Sequence, residues 1–315
     1  MEKRVLITGV TGFVGTHLVR ALAEDAAPSA VFGTAYPDPP PAGTSGLFHL
    51  DLRSEEDILR LVREVRPDWV FHLAAVSNVR RSWQMRRETL ETNILGTHNL
   101  LEAVRQASPG ARVLFVSSSD VYGAAASPEM GLTETSPFQV LNPYAYSKAA
   151  SEMMCGFYAV VEGIDIVTAR PFPHTGPGQA ADFVCSDWAR QIVRIERGEA
   201  GPTLHVGNLD VRRDYCDVRD VVRAYLMLIK RGRRGEAYNV CSGEPAALRR
   251  ILDFFVGEAL VEGGVSVETD PRKLRKTDAP LLVGSNRKIV KEIGWTPGIP
   301  LERTLRDLLD FWRRA

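Results

Sequence analysis

A doubly wound α/β fold, a parallel sheet with helices on both faces, follows from three observations in the first half of the chain. Short, continuously apolar runs recur there, amphipathic stretches separate them, and a glycine-spaced turn joins the first run to the first amphipathic stretch. Strands buried on both faces read as unbroken hydrophobic runs, and parallel neighbours need long crossovers between them.

The elements follow in order. RVLIT is the first strand, and GFVGTHLVRALAE continues as a helix. AVFGTAY and GLFHLDL are strands on either side of YPDPPPAGTSG, whose breakers make it a loop and not a linker between domains. SEEDILRLVREV is a helix with an acidic start, DWVFHLAA a strand, the stretch around Glu88–Gln106 a long helix, and ARVLFVSSS the fifth strand. After Arg170 the rhythm changes, because PFPHTGPGQ carries three prolines and two glycines and reads as irregular surface chain. Beyond it come shorter, mixed segments: helices near Phe183–Arg197, Val218–Lys230, Leu248–Glu262 and Leu301–Arg314, with LHVGN, AYNV and VSVET between them. The expected division is residues 1–170 for the large sheet and 171–315 for a smaller C-terminal α/β lobe that returns one strand to it.

The chain has 315 residues, with 39 basic against 39 acidic side chains. Zero net charge offers no field for nucleic acid or an anionic membrane. The four cysteines, Cys155, Cys185, Cys216 and Cys241, are scattered without CxxC spacing. They read as free thiols of a reducing compartment, with no metal site. No apolar run approaches the ~18 residues of a membrane span. The first strand begins at once, so no signal peptide is expected and the location expected is cytoplasmic.

Gly9-Val10-Thr11-Gly12-Phe13-Val14-Gly15 lies between a strand and a helix. Glycines there allow a tight turn and close backbone approach, and the helix start presents free N–H groups to a pyrophosphate, as in Rossmann-type dinucleotide sites. The spacing is GxxGxxG, not the usual GxGxxG. The second strand ends in Thr34-Ala35-Tyr36, with Asp38 beyond it among prolines. No carboxylate stands there to repel a 2′-phosphate and no arginine to clamp one, so NADP(H) is favoured over NAD(H). Asp51-Leu52 suits an adenine contact, or Asp51 is a helix cap or a turn aspartate. Ala74 and Ala75, after His72-Leu73, are small enough for a cofactor to approach or for a helix to pack against; His72 reads as structural.

Val116-Ser117-Ser118-Ser119-Asp120-Val121-Tyr122-Gly123 closes the fifth strand at the carboxyl edge of the sheet, where such folds bind ligands. Downstream, Tyr144 and Lys148 in NPYAYSK lie one helical turn apart, which sets an ammonium beside a phenol. At ~4 Å and an effective dielectric of ~20, that charge is worth roughly 4 kcal/mol, so a net fall in the tyrosine pKa is expected even against burial. Such a phenol is a usable acid or base.

GVTGFVG, HLAA, Asn93 in ETNILGT, VSSSDVYG, YAYSK and RPF occur in this order. Over nearly its whole length the chain resembles the extended short-chain dehydrogenase/reductase family, the NAD-dependent epimerases and dehydratases of nucleotide sugars. The resemblance implies Ser118 as the hydroxyl that polarises the sugar carbonyl, Tyr144 as acid/base, and Lys148 on the nicotinamide ribose. It implies Asn93 as the residue that kinks its helix and supports a water and lysine relay. It further implies cofactor contacts at Gly9, Gly12, Phe13, Val14, Gly15, Asp51, Leu52, Leu73, Ala74, Ala75, Tyr144, Lys148, Pro171 and His174.

The second half resembles the branch of GDP-6-deoxy-D-lyxo-4-hexulose reductases and GDP-mannose 4,6-dehydratases, through RPFPHTGPGQ, DFVCSDWARQI, LHVGNLDVRRDYCDVRD and YNVCSGEP. By that resemblance Arg213 and Arg275 grip a sugar-nucleotide diphosphate. Phe183, Val184, Leu204 and Asn208 line a guanine pocket, and Ser77, Ser119, Asp120 and His174 meet the sugar. Pro173 replaces the asparagine usual in this segment, and Asp120 stands where the dehydratases carry a longer glutamate. The activity this implies is reduction of GDP-4-keto-6-deoxy-D-mannose to GDP-D-rhamnose. A 4,6-dehydratase and then a 4-epimerase are the alternatives, with a non-catalytic dinucleotide sensor as the reading from another class. A homodimer through the Tyr144 helix is implied too, although Ala149, Met153, Phe157 and Val160 have a spacing that suits core or interface alike.

Overall fold

The computed structural model describes residues 3–25, 29–37, 46–123, 131–274 and 279–315. Its strands are β1 (Lys3–Thr8), β2 (Ser29–Ala35), β3 (Leu47–His49), β4 (Trp69–His72), β5 (Arg112–Val116), β6 (Asp165–Pro171), β7 (His174–Thr175), β8 (Thr203–Val206), β9 (Arg212–Asp214), β10 (Cys216–Asp217), β11 (Ala237–Val240), β12 (Pro245–Ala247), β13 (Ser266–Thr269) and β14 (Leu281–Leu282). The helices are α1 (Phe13–Ala23), α2 (Glu55–Val65), α3 (Val79–Gln84), α4 (Arg86–Leu90), α5 (Gly96–Ala107), α6 (Pro143–Val160), α7 (Val184–Glu196), α8 (Val218–Arg231), α9 (Leu248–Gly257), α10 (Arg287–Ile293) and α11 (Leu301–Arg314).

Seven parallel strands form the main sheet in the order β11-β6-β5-β4-β1-β2-β3. The order reverses beside β1, which opens a crevice at the carboxyl ends of β1 and β4. Alternate residues of β1 feed two separate cores, which is why the strand is apolar throughout. Val5 and Ile7 pack with Val218, Val221, Tyr225 and Leu228 of α8. Leu6 packs on the other face with Ile58, Val62, Leu100 and Val104 of α2 and α5, and with Tyr158 of α6. The seventh strand is β11, so the chain returns to the sheet from beyond residue 171.

A third core gathers α7, α9 and α11 around Trp188, Leu204, Phe255 and Leu308, beside small sheets of two or three strands. Helix α9 stops at Gly257, short of the expected Glu262, and the short helices α3 and α10 fall where no helical period is long enough to read. The four cysteines are free and buried. Among the described residues no helix is long and apolar enough to cross a membrane.

Candidate active site

The glycine turn is built so that only glycine fits. Gly9 has φ +71°, and a Cβ on it would stand 2.9 Å from the Cα of Ala74. A Cβ on Gly15 would meet the carbonyl oxygens of Val10 and Gly9 at 2.5 and 2.6 Å. Gly12 takes the N-cap place of α1 with no side-chain cap, so the first turn presents backbone N–H groups through Phe13, Val14 and Gly15. This cradle, with Ala74 against it, fits a dinucleotide pyrophosphate. The His174 ring stacks on Phe13 at 6.2 Å, and its Nδ1 meets the Phe172 carbonyl at 3.0 Å. His174 thus sits against the glycine turn, while the Pro173 carbonyl accepts from the Cys216 N–H.

Asp51 is neither helix cap nor free. The cap of α2 is Ser54, and Asp51 holds Arg53 bidentately, with oxygen–nitrogen distances of 2.6 to 3.0 Å. Burial opposes it, but the Arg53 hydrogen bonds keep the Asp51 carboxyl below its usual range. Arg53 also donates to the Tyr36 hydroxyl at 3.3 Å. An arginine does therefore stand at the end of β2, brought from the end of β3, and the linear reading that none is there needs correcting. Asp38 lies outside the described residues. Leu52 is buried, its carbonyl bound by Asn99 at 2.9 Å. Leu73 and Ala75 are half-buried beside Ala74.

Between the cradle and the reacting centre runs a buried chain of hydrogen bonds. The Ala74 N–H donates to Thr8 Oγ1, which lies 2.8 Å from His72 Nδ1; His72 Nε2 lies 2.9 Å from Thr97 Oγ1, which donates to the Asn93 carbonyl. Because Thr97 spends its proton on that carbonyl, His72 carries its own on Nε2, and burial drives its pKa down to about 3. His72 is structural, as the sequence suggests. Asn93 sits in a π-helical turn, Glu91–Leu95, that interrupts the α4–α5 helix. Its amide grips both backbone groups of Val76 and donates to Ser147 Oγ at 2.8 Å, and Ser147 in turn donates to the Tyr144 carbonyl. Asn93 therefore stands in the π-helical turn that interrupts its helix, and its amide reaches α6 through Ser147.

Tyr144 and Lys148 lie on α6, whose first N–H groups Asn142 caps. The Tyr144 hydroxyl lies beside Ser118, and Lys148 Nζ donates to the Val116 carbonyl at 2.7 Å, so both meet the end of β5. The expected fall in the tyrosine pKa is overturned. Burial lifts it above the usual phenol value, the Asp120 charge adds to the rise, and only Ser118 opposes it. Lys148 is not among the causes because its ammonium is turned onto Val116. Burial brings Lys148 itself down to about 8, against the raising influence of Cys155 and Glu152. Ser118 caps the turn Ser119–Tyr122, accepting from the Asp120 N–H at 3.1 Å; Ser119 is buried in that turn.

The substrate-side residues come from scattered pieces. Arg213 lies on β9, between β12 and β14, half-buried. Its neighbour Asp214 is fully buried and accepts from Ser242 N–H and Oγ, Gly243 N–H and Gly284 N–H at 2.6 to 3.2 Å. Burial still lifts its carboxyl above the usual range, against those bonds. Phe183, Val184 and Asn208 are half-buried and Ser77 is exposed. Leu204 needs correction: it is fully buried in the third core, so its side chain cannot line a pocket. Pro171 ends β6 and is buried, and Arg275 lies outside the described residues. Sequence reasoning passed over Ser147, Glu152, Arg170 and Asp214, of which only Glu152, one turn after Lys148, had a spacing that could have flagged it.

The model of the GDP-mannose 4,6-dehydratase family matches residues 6–308. A GDP-6-deoxy-D-mannose reductase of Pseudomonas aeruginosa is 36% identical over 99% of this chain and 98% of its own length. A GDP-mannose 4,6-dehydratase of Vibrio cholerae is 27% identical over 98% of this chain and 93% of its own. Among solved structures, the Pseudomonas aeruginosa RMD complexed with NADPH superposes with a TM-score of 0.88, covering 99% of both chains at 36% identity. The Thermus thermophilus UDP-glucose 4-epimerase with NAD gives 0.86 at 31% identity, again over 99% of each chain. The chain belongs to the GDP-mannose 4,6-dehydratase family and is an NAD(P)-dependent nucleotide-sugar oxidoreductase of the extended short-chain dehydrogenase/reductase type.

Proposed function

We propose that the protein reduces the 4-keto group of GDP-4-keto-6-deoxy-D-mannose to give GDP-D-rhamnose, with NADPH as the hydride source. The observation that carries this reading is the 36% identity, over 99% of the chain, to the GDP-6-deoxy-D-mannose reductase of P. aeruginosa, and the buried tyrosine suits it. Tyr144, its pKa lifted by burial against the influence of Ser118, holds its proton at neutral pH. Reduction needs an acid at the carbonyl oxygen, whereas a dehydratase must first remove a proton from the 4-hydroxyl. Bound NADPH would supply the hydride to C4. The Ser118 hydroxyl polarises the sugar carbonyl, and Tyr144 delivers its proton to the oxygen as charge develops. Lys148, charged below about pH 8, would offset the tyrosinate left behind once its ammonium turns from the Val116 carbonyl towards the phenol. Asp120 supports the same choice, since its side chain is one methylene shorter than a glutamate and a ~1 Å misplacement of a catalytic base can lower the rate about a hundredfold.

Residues 1–170 would hold the dinucleotide, with Gly9, Gly12 and Gly15 at the pyrophosphate, and residues 171–315 the sugar nucleotide, with Arg213 and Arg275 on its diphosphate. NADPH is preferred to NADH because the P. aeruginosa structure carries it and Arg53 stands at the end of β2. The protein would act as a dimer through α6: Met153, Phe157 and Val160 are 71%, 52% and 78% exposed, an apolar stripe that a second copy would cover. Ala149, by contrast, is buried in the core.

The test is to give the protein GDP-4-keto-6-deoxy-D-mannose with NADPH, and separately GDP-mannose without reduced cofactor. Oxidation of NADPH with formation of the 6-deoxy sugar is the expected result. Formation of the 4-keto sugar in the second tube would establish the dehydratase that the family description names.

A further inference from the structure

Behind Tyr144 lie three charged side chains with almost no contact with water. Lys148, Glu152 and Arg170 are 4%, 9% and 6% exposed. Lys148 and Glu152 stand one turn apart on α6, and Arg170 faces them from β6. Arg170 Nε and one terminal nitrogen both donate to Glu152 Oε1, at 2.8 and 2.6 Å. Its other terminal nitrogen donates to the Tyr122 hydroxyl and the Glu134 carbonyl at 2.8 and 2.9 Å. The guanidinium rests over the rings of Phe138 and Tyr122 at 4.8 and 5.3 Å. Among the described residues Glu152 Oε2 has no hydrogen-bond partner. Arg170 thus claims one carboxylate oxygen of Glu152, and Lys148, one turn earlier on α6, shares the same buried space.

The remaining groups around Lys148 carry no charge at neutral pH. Tyr144 and Cys155 of α6 keep their protons because burial raises both, and His72 at the end of β4 stays neutral. From β5 the lysine meets the Val116 carbonyl and the Phe115 ring. Around Glu152 stand Tyr122, also held neutral by burial, and Cys155, and the pocket it shares with Arg170 is lined as well by Glu134, whose carboxylate accepts from the Asn239 N–H, and by the Lys288–Glu236 pair. Of the two groups that favour the lysine's charge, Cys155 and Glu152, the thiol keeps its proton at neutral pH and Glu152 is the carboxylate.

We propose that Glu152 is a positioning residue for the reaction: clamped by Arg170, it sets the charge state of Lys148 and with it the alkaline limit of turnover. This rests on the reading that Lys148 serves proton transfer at Tyr144. Buried charges at this range shift one another strongly. The arrangement makes two substitutions act in opposite directions, which damage to the fold would not do. In E152Q the arginine is left uncompensated beside the lysine, and the ammonium becomes harder to keep. In R170Q the carboxylate is left to the lysine alone, and the ammonium becomes easier to keep.

The experiment is the pH profile of kcat/KM for NADPH-dependent reduction of GDP-4-keto-6-deoxy-D-mannose, run on wild type, E152Q, E152D and R170Q. The alkaline limb of E152Q should move towards acid by about one pH unit, that of R170Q should move the other way, and E152D should stay with wild type. A second readout needs no turnover: titration of ε-13C-lysine signals by NMR, where the chain has only seven lysines and K148M assigns the one concerned. E152Q and R170Q limbs that coincide with wild type, or an unmoved Lys148 titration, would overturn the proposal. If E152Q does not fold, the alkaline shift in R170Q alone carries the decision. A wild-type profile with no alkaline limb would refute the role of Lys148 instead, and the NMR titration would still show whether Glu152 governs its charge.

Discussion

The cofactor side and the substrate side of this protein are built on different principles. The first is a row of parallel strand ends, where Gly9, Gly15 and Ala74 bring backbone against backbone and the ligand meets N–H groups of a helix start. The second would be a set of short strands, β8 to β10 and β12 to β14, with Arg213 on β9, Asn208 between β8 and β9 and Phe183 before α7. A backbone cradle tolerates no side chain, whereas a side-chain site tolerates no loss of its scaffold. The two should therefore fail in different ways.

Tyr144, where the two sides meet, should give the largest effect. Tyr144→Phe removes the proton donor and leaves the ring, so kcat should fall about 10²–10⁴-fold. Dinucleotide and GDP-sugar affinity, measured by calorimetry, should stay within a few-fold. If turnover survives the substitution, Tyr144 is not the acid of the reaction.

The same contrast explains what could be read without coordinates. The main sheet and the glycine turn were legible because the residues that build them are neighbours in sequence: RVLIT, then GVTGFVG, then a helix. Helix α11 was read to the residue because its period is long and clean. The tyrosine pKa was misjudged because spacing shows that two side chains share a helix face, but not that the ammonium turns onto Val116 while burial governs the phenol. Arg53 beside Tyr36 was missed for a related reason, since strand pairing and not sequence distance brings the ends of β2 and β3 together. Leu204 was misplaced because an apolar residue in a short strand reads the same in a core as in a pocket.

Asp214 tests the scaffold of the substrate side. In Asp214→Ala the N–H groups of Ser242, Gly243 and Gly284 lose their acceptor within the fold. At roughly 1–3 kcal/mol for each buried group left unpaired, stability should fall by several kcal/mol in urea unfolding. At temperatures where the variant stays folded, GDP-sugar affinity should fall and NADPH affinity should hold. Equal loss of both would show that the two sides are not separately built.

Lys148 gives a smaller effect with a defined sign. It is a cation whose folded pKa, about 8, lies below its usual 10.5, so keeping it charged disfavours the folded state at neutral pH. The unfolded chain binds the proton more tightly between those values, and stability referable to this residue rises with pH across that window. Relative to wild type, Lys148→Met should therefore be more stable at pH 7, by at most about 3 kcal/mol, and should lose that advantage as the pH approaches 10.5. Chemical denaturation at several pH values reads this difference, and a pH-independent difference would mean that the lysine is not strained by burial.

Gly15→Ala bears on the cradle alone and should have the smallest effect. Its new methyl would meet the carbonyl oxygens of Val10 and Gly9 at 2.5 and 2.6 Å, closer than a real Cβ can stand, and backbone cannot swing away as a side chain can. The turn must open, at an expected loss of ~1–3 kcal/mol, the range typical of overpacking. Because that movement displaces the N–H groups of α1, the loss should appear as a roughly tenfold to hundredfold weaker NADPH affinity. Arg213 and Asp214 sit on β9, in a different small sheet, so GDP-sugar binding should be unchanged by calorimetry. A variant that binds NADPH as wild type does would place the pyrophosphate away from the glycine turn, and the comparison between a backbone-built side and a side-chain-built side would fail at its first term.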